Sequence, residues 1–148
     1  MKSILDEETR TEIINRIESL NEECLALWGK MNVGQMVKHC TLCEELYLGK
    51  MKFKRVFLGR IFGRFALKRL LRDERPIGKN APTAPYLMVT DKVEDVEEKK
   101  QIWKALVKEY ESYSADQFIH PFFGKLTRNE LGRFVYKHCD HHLRQFGR

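Results

Sequence analysis

The chain has 148 residues, 43% of them hydrophobic and 32% charged, with a formal net charge of +6. That length suits one domain with a real core, and the composition is that of a soluble globular protein rather than a disordered or fibrous one. No run of about 18 apolar residues occurs, which excludes a transmembrane helix as an expectation.

The opening Met1-Lys2-Ser3-Ile4-Leu5-Asp6-Glu7-Glu8 turns acidic before an apolar leader could form, so the expected compartment is the cytoplasm. Cys24, Cys40, Cys43 and Cys139 then read as free thiols. The Cys40-x-x-Cys43 pair lies inside a helical pattern and reads as small core residues rather than a redox motif.

The first helix is expected from Glu7 to Ser19, with Asp6 as N-cap and Ile13, Ile14, Ile17 and Leu20 at helical spacing. A connection with Leu25, Leu27, Trp28 and Gly29 follows and is expected to pack the joint between two helices. The second helix starts after Asn32, where Asn32 and Gln35 have the spacing of a capping box. Met36, Cys40, Cys43 and Tyr47 form its buried stripe, and His39 lies beside that stripe.

Between Lys50 and Arg75, phenylalanines and leucines alternate with lysines and arginines. This predicts a basic amphipathic helix loosened by Gly59 and Gly63. Its aromatics either pack on the bundle, leaving a solvated basic face, or serve a binding module for nucleic acid or an anionic surface. Pro76, Gly78, Pro82 and Pro85 make the stretch from Arg75 to Thr90 an extended crossover loop, long enough to span a bundle end to end or to cover one mouth.

A further helix is expected from Val93 to Ser112, with Val96, Ile102, Trp103, Leu106, Val107 and Tyr110 inward. Glu97, Glu98, Lys99 and Lys100 should face water. Tyr113 to Leu126 reads as a connection, and Thr127 with Glu130 forms a second capping-box pattern opening the last helix.

That last helix carries His138-Cys139-Asp140-His141-His142. The i, i+4 spacing puts His138 and His142 on one face, together with Leu131 and Val135, so both point inward. Inward imidazoles are costly unless something satisfies their nitrogens, and one divalent ion can satisfy two at once. His39 is the natural third ligand, as the only histidine before residue 120. Three histidines leave a fourth position open, the layout of a catalytic site rather than a closed structural one. His141 points about 100° away from His142. Asp140 is expected at the surface or in a salt bridge, and neither ligand helix is expected to offer an inward carboxylate. Cys40 and Cys43 with His138 and His142 form an alternative set, although about 94 intervening residues are unlike a compact finger.

Trp28-Gly29-Lys30-Met31 and Gln35-Met36-Val37-Lys38-His39-Cys40 resemble the second-helix entry of the DinB-like (YfiT-like) metalloenzyme superfamily. His138-x-x-x-His142 followed by Arg144-Gln145 resembles its last-helix signature. His120-Pro121-Phe122-Phe123-Gly124-Lys125-Leu126-Thr127 is similar to a subgroup of uncharacterised function. The resemblance spans from about residue 28 to the C-terminus and implies an all-α four-helix bundle, wired up-down-down-up with a long crossover; with the extra basic helix, residues 1–148 are expected to form one domain. The resemblance also implies a zinc or nickel site on His39, His138 and His142. Leu143 stands where relatives have arginine, which leaves the role of Arg144 unassigned.

Relatives include thiol-dependent transferases, a thiol-dependent maleylpyruvate isomerase and proteins described as metal-dependent hydrolases. The resemblance therefore implies a metal-dependent enzyme using a low-molecular-weight thiol or water; His120, in the loop that leads into the last helix, is a candidate acid/base residue or a support behind the ligands. The packing or capping role beside Pro121 is the alternative for His120. Expected partners are a small-molecule substrate or thiol and a second copy of the chain in a homodimer, with nucleic acid disfavoured. A structural staple, closed by a fourth ligand such as Cys40 or Cys43, is the competing role for the metal.

Overall fold

A computed structural model describes residues 1–148. Five α-helices make up about half of it: α1 (Glu7–Glu18), α2 (Val33–Tyr47), α3 (Phe57–Leu70), α4 (Val96–Glu109) and α5 (Arg128–Gln145). Short 3₁₀ turns occupy Pro85–Leu87 and Tyr110–Ser112.

Both predicted capping boxes are present. Asn32 Oδ1 accepts from the Gln35 amide at 2.9 Å, and Gln35 Oε1 accepts from the Asn32 amide at 3.0 Å. Thr127 and Glu130 make the same reciprocal pair at the start of α5. Each box satisfies two amides that a helix start leaves without partners. Asp6 precedes α1 without a side-chain cap.

α2 packs on α4 and α5, and α1 packs on the same two helices. The four enclose one contiguous apolar core, in which Met36, Cys40, Cys43 and Tyr47 form the expected stripe of α2. Trp103 and Tyr110 fill it from the α4 side, and Leu131, Val135 and Leu143 from α5.

The structure departs from an all-α fold between α4 and α5. Gln117–His120 (β1) and Gly124–Thr127 (β2) pair antiparallel, with Gln117 opposite Thr127 and His120 opposite Gly124. The segment expected to be a plain connection is thus a hairpin, closed over Pro121-Phe122-Phe123. Gly124 supplies the turn with φ +80°, which favours glycine. Leu126 turns its side chain into the core.

α3 stands outside the four packed helices and lies on β2. Gly59 and Gly63 do not loosen it. They let it approach the hairpin loop, where a Cβ at either position would stand within 2.3 Å of the Phe122 carbonyl oxygen. Of the aromatics expected to pack on the bundle, Phe53 does so, while Phe57, Phe62 and Phe65 on α3 are exposed. α4 begins at Val96, three residues later than its periodicity suggests, because the Asp95 side chain caps it by accepting from the Glu98 amide. Lys100 does not face water; it is buried and donates to the Glu18 carbonyl at 3.1 Å.

Candidate metal centre

His39 comes from the middle of α2, and His138 and His142 from adjacent turns of α5, where the two helices pack together. One ring nitrogen from each can be chosen so that all three lie within 4.8 Å of one another. The ring centroids are 5.5 Å (His39–His138), 4.8 Å (His39–His142) and 4.7 Å (His138–His142) apart. A tetrahedral ion with metal–nitrogen bonds of about 2.0–2.1 Å sets its ligand nitrogens about 3.3 Å apart. To hold such an ion the three nitrogens would have to draw closer than the 4.8 Å within which they lie.

Two of the rings are held in one tautomer. His39 Nδ1 lies 2.8 Å from the Leu87 carbonyl oxygen, which can only accept, so Nδ1 carries the proton and Nε2 the lone pair. His142 Nδ1 lies 3.0 Å from Gln145 Oε1. The Gln145 amide is itself oriented, because its Nε2 donates to the Trp28 carbonyl at 2.8 Å. Oε1 therefore faces His142, and His142 too presents Nε2 unprotonated. Backbone or amide carbonyls behind a ligand histidine fix its ring and raise its basicity toward an ion.

Gly29 makes this arrangement possible. Its φ is +83°, and a Cβ there would stand 2.5 Å from Gln145 Nε2. The Trp28-Gly29 pair thus serves the site, whereas Leu25 and Leu27, expected to pack the joint between two helices, are 83% and 68% exposed instead.

His138 differs from the other two. Its Nδ1 is sealed from solvent without a hydrogen-bond partner. An orphaned buried nitrogen inside a histidine cluster fits a ligand position. Burial pushes the His142 imidazole down to about 3 and lowers His39 and His138 as well, with the neighbouring histidines adding to the effect on His138 and His142. The rings are therefore neutral at physiological pH, the form that binds a metal.

A cleft of about 450 Å³ opens onto the cluster, with His39, His142 and Gln145 at its floor. Lys30 and Gln35 stand at one wall, and the crossover loop supplies Thr83, Met88 and Thr90 at the other. The loop is tied to α2 by Gln35 Nε2, which donates to the Thr90 carbonyl at 3.0 Å. No carboxylate lines the cleft.

His141 lies outside the cluster, as expected, and instead lines the cleft beside Trp28. Asp140 is buried rather than at the surface, and it pairs with Arg16 at 2.9 Å and Arg144 at 2.7 Å. Arg144 thus acts from the outside of α5, away from the histidines. His120 lies on β1 and does not line the cleft. Its Nδ1 accepts from the Phe122 and Phe123 amides at 3.1 and 3.2 Å, and its ring stacks on Tyr47. These contacts match the capping alternative.

The expectation that neither ligand helix carries an inward carboxylate is overturned by Glu44 on α2, which is fully buried. Its carboxyl accepts from the Tyr110 hydroxyl at 2.6 Å and the Cys139 thiol at 3.1 Å, and burial pushes it up to about 7. Of the cysteines, Cys43 comes nearest the histidines, with Sγ 3.6 Å from His39 Nε2, and burial raises its thiol so that it stays protonated.

Residues 2–148 match the family described as "Protein of unknown function (DUF1569)", and the chain belongs to that family. No curated protein and no solved structure matches it.

Proposed function

We propose that the chain is a DinB-like bundle, wired up-down-down-up, in which His39, His138 and His142 hold one divalent ion, zinc or nickel. The observation that carries this reading is the convergence of three neutral imidazoles, two with their outer N–H already bonded to a carbonyl. When bound, such an ion supplies Lewis acidity, which lowers the pKa of a thiol or water brought to it. Leu87 and Gln145 hold two of the rings in place, Trp28 and Gly29 hold Gln145, and the crossover loop limits water above the rings. The cleft leaves room for a small molecule or low-molecular-weight thiol opposite the histidines. We therefore favour a metal-dependent transferase or hydrolase over a structural staple.

Cys43, 3.6 Å from His39 Nε2, is the one observation that favours the staple. Cobalt substitution separates the two readings, because thiolate coordination adds a strong near-ultraviolet band. With an open site, the band is absent from the cobalt protein and appears on adding thiol, in the Cys43→Ala variant as in the wild type. A band present before any thiol is added, and lost in Cys43→Ala, establishes closed coordination and overturns the enzyme reading.

A further inference from the structure

We propose that the outward face of α3 is a docking surface for an anionic lipid bilayer, on which the protein rests without crossing it. Phe57, Leu58, Ile61, Phe62 and Phe65 are all more than half exposed, with Phe57 at 72% and Phe65 at 70%. At about 100° per residue they cover an arc of about 140°, opposite Gly59, Gly63 and Leu67, which face the protein. The helix cannot roll to hide this stripe. Its glycines sit against the Phe122 backbone, and Arg64 is fixed by two bonds to Glu130 at 2.7 and 3.1 Å.

Charge selects the occupant. Between Lys50 and Arg72 there are nine basic residues and no acidic one, so the rest of the chain is net negative. Lys52, Lys54, Arg60, Lys68 and Arg69 are exposed in or beside α3, and no carboxylate pairs with any of them. A second copy meeting this face would bring the same uncompensated cations together, which disfavours a dimer here. Single-stranded nucleic acid calls for a groove with bases stacked on aromatic platforms. This face is convex, and two of its five apolar residues are aliphatic. An apolar stripe of this width, edged with lysine and arginine on a surface helix, suits the headgroup boundary of an anionic bilayer. No helix is long and apolar enough to cross a membrane.

The test is vesicle sedimentation of the full chain. Vesicles are phosphatidylcholine alone, or phosphatidylcholine with about one quarter phosphatidylglycerol. We expect pelleting only with the anionic vesicles, weakened about tenfold between about 0.05 M and 0.5 M salt. The double variant Phe62→Ser, Phe65→Ser should lose at least about tenfold in partitioning, since both rings must leave water for the bilayer. The charge variant Arg60→Glu, Lys68→Glu, Arg69→Glu should lose as much. All five positions are exposed, so helicity and metal content serve as folding controls. In Phe65→Trp, emission should shift to the blue on anionic vesicles beyond any wild-type change. The proposal is overturned by failure to pellet, or by pelleting that the serine pair leaves unchanged. It is equally overturned if the serine pair dissociates a solution dimer, or if single-stranded oligonucleotide binds this face more tightly than the vesicles do.

Discussion

Two polar clusters lie between α2 and α5, and they are completed in different ways. Around Glu44, each carboxyl oxygen has a donor, Tyr110 on one side and Cys139 on the other, and nothing reaches solvent. Around His39, His138 and His142, the outer nitrogens of two rings are satisfied while His138 Nδ1 is left over, and the cluster faces a cleft. A buried polar group with its partners in place belongs to the fold. His138 Nδ1 has no such partner, and the rings next to it, His39 and His142, line a cleft. The two clusters should therefore respond to different perturbations.

The largest effect is expected at the histidines. Alanine at His39, His138 or His142 should cut metal from about one equivalent to less than about a tenth, measured by elemental analysis, while the protein stays helical, since each supplies one of three bonds. His141→Ala should keep wild-type metal. Equal loss there would place the site on the wrong face of α5.

Glu44 should govern pH instead. Folded, its carboxyl holds a proton up to about 7, against 4.5 for an ordinary glutamate. Between those values the folded state binds more protons than the unfolded one, so stability falls as pH rises. The cost is absent below 4.5 and complete above about 7. In metal-free protein, the stability of Glu44→Gln relative to wild type should rise across that window by up to about 3 kcal/mol. Denaturant unfolding at both ends of it measures the difference, and metal content should not change. A constant difference would mean that Glu44 is ionised throughout.

Behind the ligands, Gln145→Leu removes the acceptor for His142 Nδ1 and should weaken metal binding about 10- to 100-fold without abolishing it. The smallest effect sharpens the contrast most. His138→Leu in metal-free protein removes an unpartnered buried nitrogen and should leave stability unchanged or raise it by about 1 kcal/mol. A clear destabilisation would show His138 to be a satisfied core residue, like Glu44.

The histidine half of this contrast was legible in the sequence, because it rests on local geometry. The i, i+4 histidines of α5 had to share a face, and Asn32/Gln35 and Thr127/Glu130 had to sit at helix starts. Glu44 was missed because one apolar stripe was assigned to α2. That helix is clamped between α4 and α5, so a residue about 80° from the stripe is still buried. The hairpin was missed because its strands are four residues long and separated by Pro121-Phe122-Phe123, too short for alternation to stand out. The Leu87 carbonyl behind His39 carries no sequence signal at all, since any residue could provide it. The exposed aromatics of α3 ran against the rule that large apolar side chains pack inward, and only the glycines on the opposite face, once seen against Phe122, explain it.

Anomalous diffraction from crystals grown without chelator, collected on both sides of the zinc and nickel edges, addresses the metal site directly. The account predicts one peak about 2.0–2.1 Å from a nitrogen of each of His39, His138 and His142, with its fourth side toward the Trp28–Thr90 cleft. A peak bonded to Cys43, or no peak in crystals soaked with either ion, would contradict it.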